Sequence, residues 1–317
     1  MESVFHRVSA WVRAIPPRVV LAAKLGFALT AIAILATTVD WRTVAANLDR
    51  LLLPILAGIA LLVPFLMVAA LRWKLIIGTE TPGNFSFLTA LRGWGLGLFV
   101  NLVVPGVVGS DAVRAHYASV RSKIDYRRAL LVAFTERLFG LLSICLLLGI
   151  GLALNDHIER FTQISTNQLT LGLVVAGAII VVGVVLTRRY TQIPLLLFPV
   201  LLVLSVLGQS SDFLLVHFFG RAVSVDIPLE TLLLVIPLVF LASVISITPG
   251  GHGIREVTLT ALLTLAGIPV GEAALIALML LVTKIGFGLV CGVALIDGAH
   301  PLRKATEFVT HMMRSRG

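Results

Sequence analysis

Apolar residues along this chain form long, nearly continuous segments instead of the alternating stripes of soluble helices and strands. A helix needs about 20 apolar residues to cross the hydrocarbon core of a bilayer, and six segments reach that length. They predict membrane-spanning helices over residues 19–39, 51–71, 129–153, 169–187, 194–216 and 272–296.

Two further apolar stretches, 87–104 and 229–247, each run into a motif with the spacing PG-x-x-G. The motifs are PGVVG at 105–109 and PGGHG at 249–253. Proline and clustered glycine end a helix and permit a tight reversal. Each stretch therefore either crosses the membrane or enters it and returns on the same side.

The distribution of basic residues decides between these alternatives. If all eight segments crossed from a cytoplasmic amino terminus, the basic segment 114–128 and the pair Arg188-Arg189 would be external. Lys and Arg favour cytoplasmic loops, so that topology is disfavoured. We predict an all-α polytopic membrane protein with six full spans plus two re-entrant helical hairpins, and with both termini in the cytoplasm.

The same layout predicts an internal repeat of roughly 145 residues within a single integral membrane domain, 1–317. Repeat one covers about 19–153, repeat two covers about 169–296, and 297–317 forms a cytoplasmic tail. Each half crosses the membrane three times, so the halves must have opposite orientations. Inverted repeats of this kind are common among secondary transporters.

Composition supports a membrane protein and excludes other classes. Hydrophobic residues make up 58% of the chain and charged residues only 13%, whereas a soluble domain needs more polar surface. The net charge of +9 does not indicate nucleic-acid binding, because the basic residues lie in short clusters between apolar segments without a recognition motif. Cys145 and Cys291 lie inside spans, which indicates a packing role.

Polar and ionisable side chains at membrane depth are costly unless they face a cavity or a partner, so they are candidate substrate-binding residues. They occur beside each Pro-Gly motif and within the spans. Thr283-Lys284 lies near the position in the second half that Glu136-Arg137 holds in the first. The predicted substrate-binding residues are Asn101, Asp111, Arg114, Glu136, Arg137, Asp212, His252, Arg255, Glu256 and Lys284.

The glycines of the two motifs predict a backbone anion cradle at the hairpin tips. Exposed N–H groups beside a helix start and an arginine bind phosphate well. The predicted cradle residues are Gly106, Gly109, Gly250, Gly251 and Gly253.

Simpler interpretations of the charged residues stay open. Asp111 with Arg114, and Arg255 with Glu256, could pair only to close the hairpins. Buried pairing of Glu136 with an arginine is as consistent with the sequence as substrate contact.

Other features add little chemistry. Arg92, Trp73 and Trp94 are interpreted as anchors at the membrane interface. His252 and Glu256 are four residues apart, but without a third ligand they do not define a metal site. No nucleotide-binding, zinc-protease or serine-hydrolase motif is present in the sequence. We expect no metal, no cofactor and no enzyme activity.

The run NLVVPGVVGSDAVRA at 101–115, followed by Glu136-Arg137-Leu138, resembles the lysylphosphatidylglycerol synthase transmembrane-region family. The run PGGHGIRE at 249–256 matches the later signature of that family, and the resemblance covers nearly the whole chain. It implies movement of a lipid between leaflets, with aminoacylated phosphatidylglycerol the cargo of members fused to a synthase domain. The chain ends soon after its last predicted span, so we expect a stand-alone member without the soluble aminoacyltransferase domain.

We therefore expect a flippase-like lipid translocase, for a phospholipid or another lipid with a polar headgroup, in a bacterial-type inner membrane. Arg114, Arg255 and the glycine amides would hold the headgroup phosphate. Glu136 and Asp111 would contact a cationic headgroup or balance the arginines. Membrane lipids are the expected partners, nucleic acid is not, and homo-oligomerisation is left open. The alternatives are a membrane-embedded transferase, with Asp111 or Glu256 as general base, and a small-solute or ion transporter.

Overall fold

A computed structural model describes residues 48–81, 85–102, 107–154, 166–187, 191–245 and 253–295, and all secondary structure in these ranges is helical. In chain order the helices are α1 (Leu48–Glu80), α2 (Phe87–Asn101), α3 (Val107–Ser122), α4 (Tyr126–Leu154), α5 (Thr166–Thr187), α6 (Leu197–Ala222), α7 (Leu229–Ile245), α8 (Ile254–Leu265) and α9 (Val270–Leu295).

Most predicted spans match these helices to within a few residues. Four of the described helices, α1, α4, α6 and α9, are long and apolar enough to cross a membrane, and α5 and α7 contain the shorter apolar segments Thr170–Val185 and Leu229–Ser243. The predicted span 19–39 and the predicted tail 297–317 lie outside the described residues.

Helix α1 differs most from its prediction, because it continues to Glu80 instead of ending near residue 71. Its 33 residues correspond to about 50 Å of helix, well beyond the thickness of the hydrocarbon core. Arg72 and Lys74 therefore lie within a helix and not in a loop. Leu75, Ile76 and Ile77 follow these two residues and pack in a hydrophobic core with residues of α3 and α4.

Each Pro-Gly motif follows one helix and precedes another that packs against it. Helix α2 packs on α3 in the first half, and α7 packs on α8 in the second. Ser86 caps the start of α2, since its hydroxyl accepts the backbone N–H of Thr89 at 3.1 Å. We call the pairs α2–α3 and α7–α8 the two hairpins.

The helix contacts repeat between the two halves of the chain. Helix α2 packs on α9 as α7 packs on α4, and α1 packs on α9 as α6 packs on α4. The contacts α3–α4 and α8–α9 are a further matched pair. Helices α1 to α4 therefore have counterparts in α6 to α9.

The central contact joins the counterparts α1 and α6, which run antiparallel. Arg72 near the end of α1 bonds Ser205 near the start of α6, with Nη1 and Oγ 2.9 Å apart. Gly58 near the start of α1 lies against Phe219 near the end of α6, where a Cβ on Gly58 would come within 2.9 Å of the ring. Two equivalent helices in opposite directions are what an inverted repeat requires.

The outer surface of the helical assembly is apolar. Leu171, Val174 and Ile179 of α5 are all more than 60% exposed. A surface of this kind is stable only in a lipid environment.

Candidate functional site

Charged side chains collect in the interior between helices of both halves, where ionisable groups are expensive unless paired. Two groups of ion pairs form there. The first-half cluster comprises Arg72, Asp111, Arg114, Glu136 and Arg137, and the second-half cluster comprises Asp212, Arg255 and Lys284.

Glu136 on α4 is the centre of the first-half cluster and is only 2% exposed. Its Oε1 accepts hydrogen bonds from Nε and Nη2 of Arg72, both at 3.1 Å. Its Oε2 accepts a hydrogen bond from Nη2 of Arg114. One carboxylate therefore joins α4 to both α1 and α3.

Asp111 on α3 extends this cluster. One of its oxygens lies 3.5 Å from Nη1 of Arg114, and the other accepts a hydrogen bond from Nε of Arg137. The predicted pairing of Asp111 with Arg114 is thus present, but it belongs to a larger network that also includes α4.

Arg114 lies between two tryptophans. Its guanidinium carbon is 3.8 Å from the ring centroid of Trp94 and 4.8 Å from that of Trp73, so both rings make cation–π contacts. Gly97 gives the side chain room, because a Cβ there would lie 2.7 Å from Cδ of Arg114. Trp73 is 1% exposed and contacts Arg114, so its predicted role as an interfacial anchor is wrong.

Asp212 on α6 is the centre of the second-half cluster. Its Oδ2 accepts a hydrogen bond from Nη2 of Arg255 on α8, and its Oδ1 accepts one from Nζ of Lys284 on α9 at 2.5 Å. Ser210 and Ser211 beside it bond carbonyls of their own helix. Of these three neighbouring residues, Asp212 is therefore the one that enters the charged cluster.

Glu256 has a structural contact at the start of α8. The backbone N–H of Gly253 donates to its Oε2 at 2.5 Å. Gly253 has a φ of 91°, which favours glycine there. The Gly253 amide is thus engaged by Glu256 and not open as an anion cradle. Arg255, the other member of the predicted pair, binds Asp212.

The two clusters use counterpart helices with the charges exchanged. In the first half the carboxylate on α4 holds cations from α1 and α3. In the second half the carboxylate lies on α6, the counterpart of α1, and it holds cations from α8 and α9. Ser205, which bonds Arg72, precedes Asp212 by seven residues on α6, so the clusters are about 10 Å apart along the helix.

Several polar atoms in this region are buried without a hydrogen-bond partner. Such atoms are uncommon in folded proteins and often mark a site for a ligand, an ion or water. They are Trp94 Nε1, Asn101 Oδ1, Arg114 Nε, Arg255 Nε and Thr283 Oγ1. Asn101 is the last residue of α2, and this unpartnered oxygen is the only reason to include it in the site.

Most predicted site residues converge, and some lie outside the described residues. Gly106, Gly250, Gly251 and His252 are outside, and Gly109 lies in the first turn of α3. Sequence reasoning missed Arg72 and Ser205. The apolar residues that follow Arg72 and Lys74 were the signal that α1 continues past them. Ser205 carries no comparable signal.

Comparison with known families gives one match. The model described as "Lysylphosphatidylglycerol synthase TM region" matches residues 21–292. This range includes both Pro-Gly motifs and all members of the two clusters. No curated protein and no solved structure matches the chain.

Proposed function

The chain belongs to the lysylphosphatidylglycerol synthase transmembrane-region family, and we propose that it is a lipid translocase. It is a multi-pass membrane protein related to proteins of lipid handling. The proposed reaction moves a phospholipid, or another lipid with a polar headgroup, between the leaflets of a bacterial-type inner membrane. Membrane lipids are its proposed partners, and it works without a cofactor and without covalent chemistry on the lipid.

One observation carries the proposal: Arg114 and Arg255, on the second helix of each hairpin, both leave Nε without a hydrogen-bond partner. Nη2 of each arginine is engaged by a carboxylate, Glu136 or Asp212, so each guanidinium is held in place while its Nε–H donor stays unused. A headgroup phosphate oxygen is a strong acceptor for such a donor. We place the phosphate between the two hairpins, with one arginine from each half.

The antiparallel arrangement of α1 and α6 supports the re-entrant layout. Successive spans alternate in direction, so an antiparallel pair needs an even number of crossings between its members. Helices α4 and α5 supply two crossings, and the α2–α3 pair must then return to its own side. If α2 crossed once, α1 and α6 would be parallel.

This layout favours alternating access as the mechanism. Each hairpin is attached to the helices of its own half by ion pairs, through Glu136 and Asp111 in the first half and through Asp212 in the second. Rocking of one half against the other would expose the arginines first to one leaflet and then to the other, while the acyl chains stay in lipid.

The proposal is tested by lipid movement in liposomes that contain the purified protein. The movement of fluorescent phosphatidylglycerol to the outer leaflet is followed by quenching from outside. We expect Arg114→Lys combined with Arg255→Lys to lower the rate at least about tenfold, because lysine keeps the charge but lacks the Nε–H donor.

Arg221→Lys is the matched control, because Arg221 is an arginine of α6 whose side chain is 65% exposed and pairs with exposed Asp226. Circular dichroism and a monodisperse elution profile establish that the variants are folded. Wild-type rates for the folded double variant would refute the arginine clamp. Wild-type protein no faster than empty liposomes for every lipid offered would refute the translocase.

A further inference from the structure

The two most accessible charged side chains of the polar region are positive. The Arg137 side chain is 34% exposed and that of Lys284 is 24% exposed. The carboxylates Asp111, Glu136 and Asp212 are 12%, 2% and 7% exposed. A ligand that enters this region therefore meets cations first.

Each of these carboxylates is also already matched by two cations. Glu136 holds Arg72 and Arg114, and Asp212 holds Arg255 and Lys284. Asp111 holds Arg114 and Arg137 in the same way.

Charge balance in the described part of the chain is positive. The clusters contain five cationic side chains, and the region contains four carboxylates when Glu256 is included, which leaves a surplus of one positive charge. A cationic headgroup that binds one of these carboxylates must compete with the arginines or the lysine already paired with it. An anionic headgroup faces no such competition.

We infer that the cargo is a lipid whose headgroup carries net negative charge, a phosphate or phosphodiester without a compensating amine, and that Arg137 and Lys284 select it. The inference rests on the proposed translocase and specifies its substrate class. Arg137 and Lys284 lie on the counterpart helices α4 and α9, so each half contributes one accessible cation to the same headgroup. Arg114 and Arg255 orient the phosphate, whereas Arg137 and Lys284 provide the preference for negative charge.

The test compares three lipids with identical fluorescent acyl chains in the same liposomes. They are phosphatidylglycerol, which is anionic, phosphatidylethanolamine, which is zwitterionic, and lysylphosphatidylglycerol, which is cationic. We expect phosphatidylglycerol to move about tenfold faster than the lysylated lipid. Equal or reversed rates would overturn the inference and leave the translocase intact. If no lipid moves faster than in empty liposomes, the proposed function fails, and the inference fails with it.

A fourth arm separates a lipid headgroup from a free phosphate. Liposomes with radiolabelled glycerol 3-phosphate outside are assayed for uptake. Entry of the label at a rate comparable to lipid movement would assign the anion chemistry to a small solute and overturn the lipid assignment. We expect no uptake above empty liposomes.

Substitutions test which residues give the protein its preference for an anionic headgroup. We expect Arg137→Gln combined with Lys284→Gln to bring the rates of phosphatidylglycerol and lysylphosphatidylglycerol to within about twofold of each other, since both accessible charges are lost. Arg137→Lys, which keeps the charge, should retain the preference. Arg221→Gln, on α6 and outside both clusters, is the control for the loss of an arginine as such. An unchanged ratio in the folded double variant would exclude Arg137 and Lys284 as the selecting residues.

Discussion

Arg72 on α1 and Asp212 on α6 have opposite charges on counterpart helices, and each pairs with the last helix of its own half. Arg72 binds Glu136 on α4, and Asp212 binds Lys284 on α9. In each half, therefore, one buried carboxylate pairs with two cations, but it lies on α4 in the first half and on α6 in the second. A hairpin arginine binds that carboxylate in both cases, Arg114 in one half and Arg255 in the other.

The exchanged charges predict that the first-half pair can be reversed. Arg72→Glu alone leaves Glu136 beside a second carboxylate, and Glu136→Lys alone leaves Arg72 and Arg114 beside a third cation. Loss of one partner from a buried pair costs about 3–5 kcal/mol, so both single variants should unfold at markedly lower temperature. The double variant restores opposite charges at 72 and 136 but leaves the new lysine beside Arg114, so it should recover part of that loss, as measured by thermal unfolding in detergent.

If the double variant were no more stable than the singles, the contact between Arg72 and Glu136 would not be a pairwise interaction in the membrane. Arg221→Glu on its own, which reverses an exposed charge near the end of α6, provides the baseline for a reversal at the surface.

Gly97 is predicted to control the position of Arg114. In Gly97→Val the new side chain would occupy the space of Cδ and Cγ of Arg114, since a Cβ at this position would lie only 2.7 and 2.9 Å from those atoms. The guanidinium should leave the face of Trp94, and lipid movement should fall several-fold. Gly78→Val on α1 is the control, because nothing lies within 4 Å of a Cβ there. Normal transport in Gly97→Val would show that Arg114 can act from another position.

Gly151 is predicted to be essential for the packing of α4 on α7. A Cβ on Gly151 would lie 2.5 Å from the carbonyl oxygen of Leu233, and a backbone atom cannot move aside as a flexible side chain can. Gly151→Ala should therefore lower the unfolding temperature clearly, by a free energy of about 1–3 kcal/mol. Gly172→Ala on α5, where a Cβ has open space, should change it little. Equal stability of the two variants would contradict the close approach of α4 and α7.

The topology is tested by cysteine labelling in intact cells and inverted vesicles. Cys145 and Cys291 are buried and can be replaced by alanine to give a cysteine-free background. Val120→Cys, at a 57% exposed position in the last turn of α3, should react only from the cytoplasmic side. Asp226→Cys, beyond the end of α6, should react only from outside. Eight full crossings would reverse both results.

The sequence was sufficient for the helices and for most of the charged site. Spans of apolar residues set the helix positions because the bilayer imposes a minimum length, and charges at membrane depth stand out against them. The sequence was insufficient to place Arg72 within a helix, because a prediction from hydropathy ends a span at its first charged residues. Its partner Glu136 is 64 residues away along the chain, and only the fold brings them together.

The sequence also could not decide what the carboxylates do. Glu136 and Asp111 were equally consistent with a cationic headgroup and with the arginines, because composition does not show which groups touch. The structure places both on arginines. Trp73 was misassigned for a related reason: an aromatic residue near a predicted span end is typical of the interface, and here the helix continues past it.

The crossing of α1 and α6 restricts how this protein can move. The contact between Arg72 and Ser205 and the contact between Gly58 and Phe219 lie about four turns apart on each helix. A slide of one helical turn, about 5.4 Å, would break both contacts at once. In the proposed mechanism, the two helices therefore form an axis about which the halves can rotate without sliding. A crosslink between α1 and α6 should leave transport intact, whereas a crosslink that ties a hairpin to a helix of the other half should stop it.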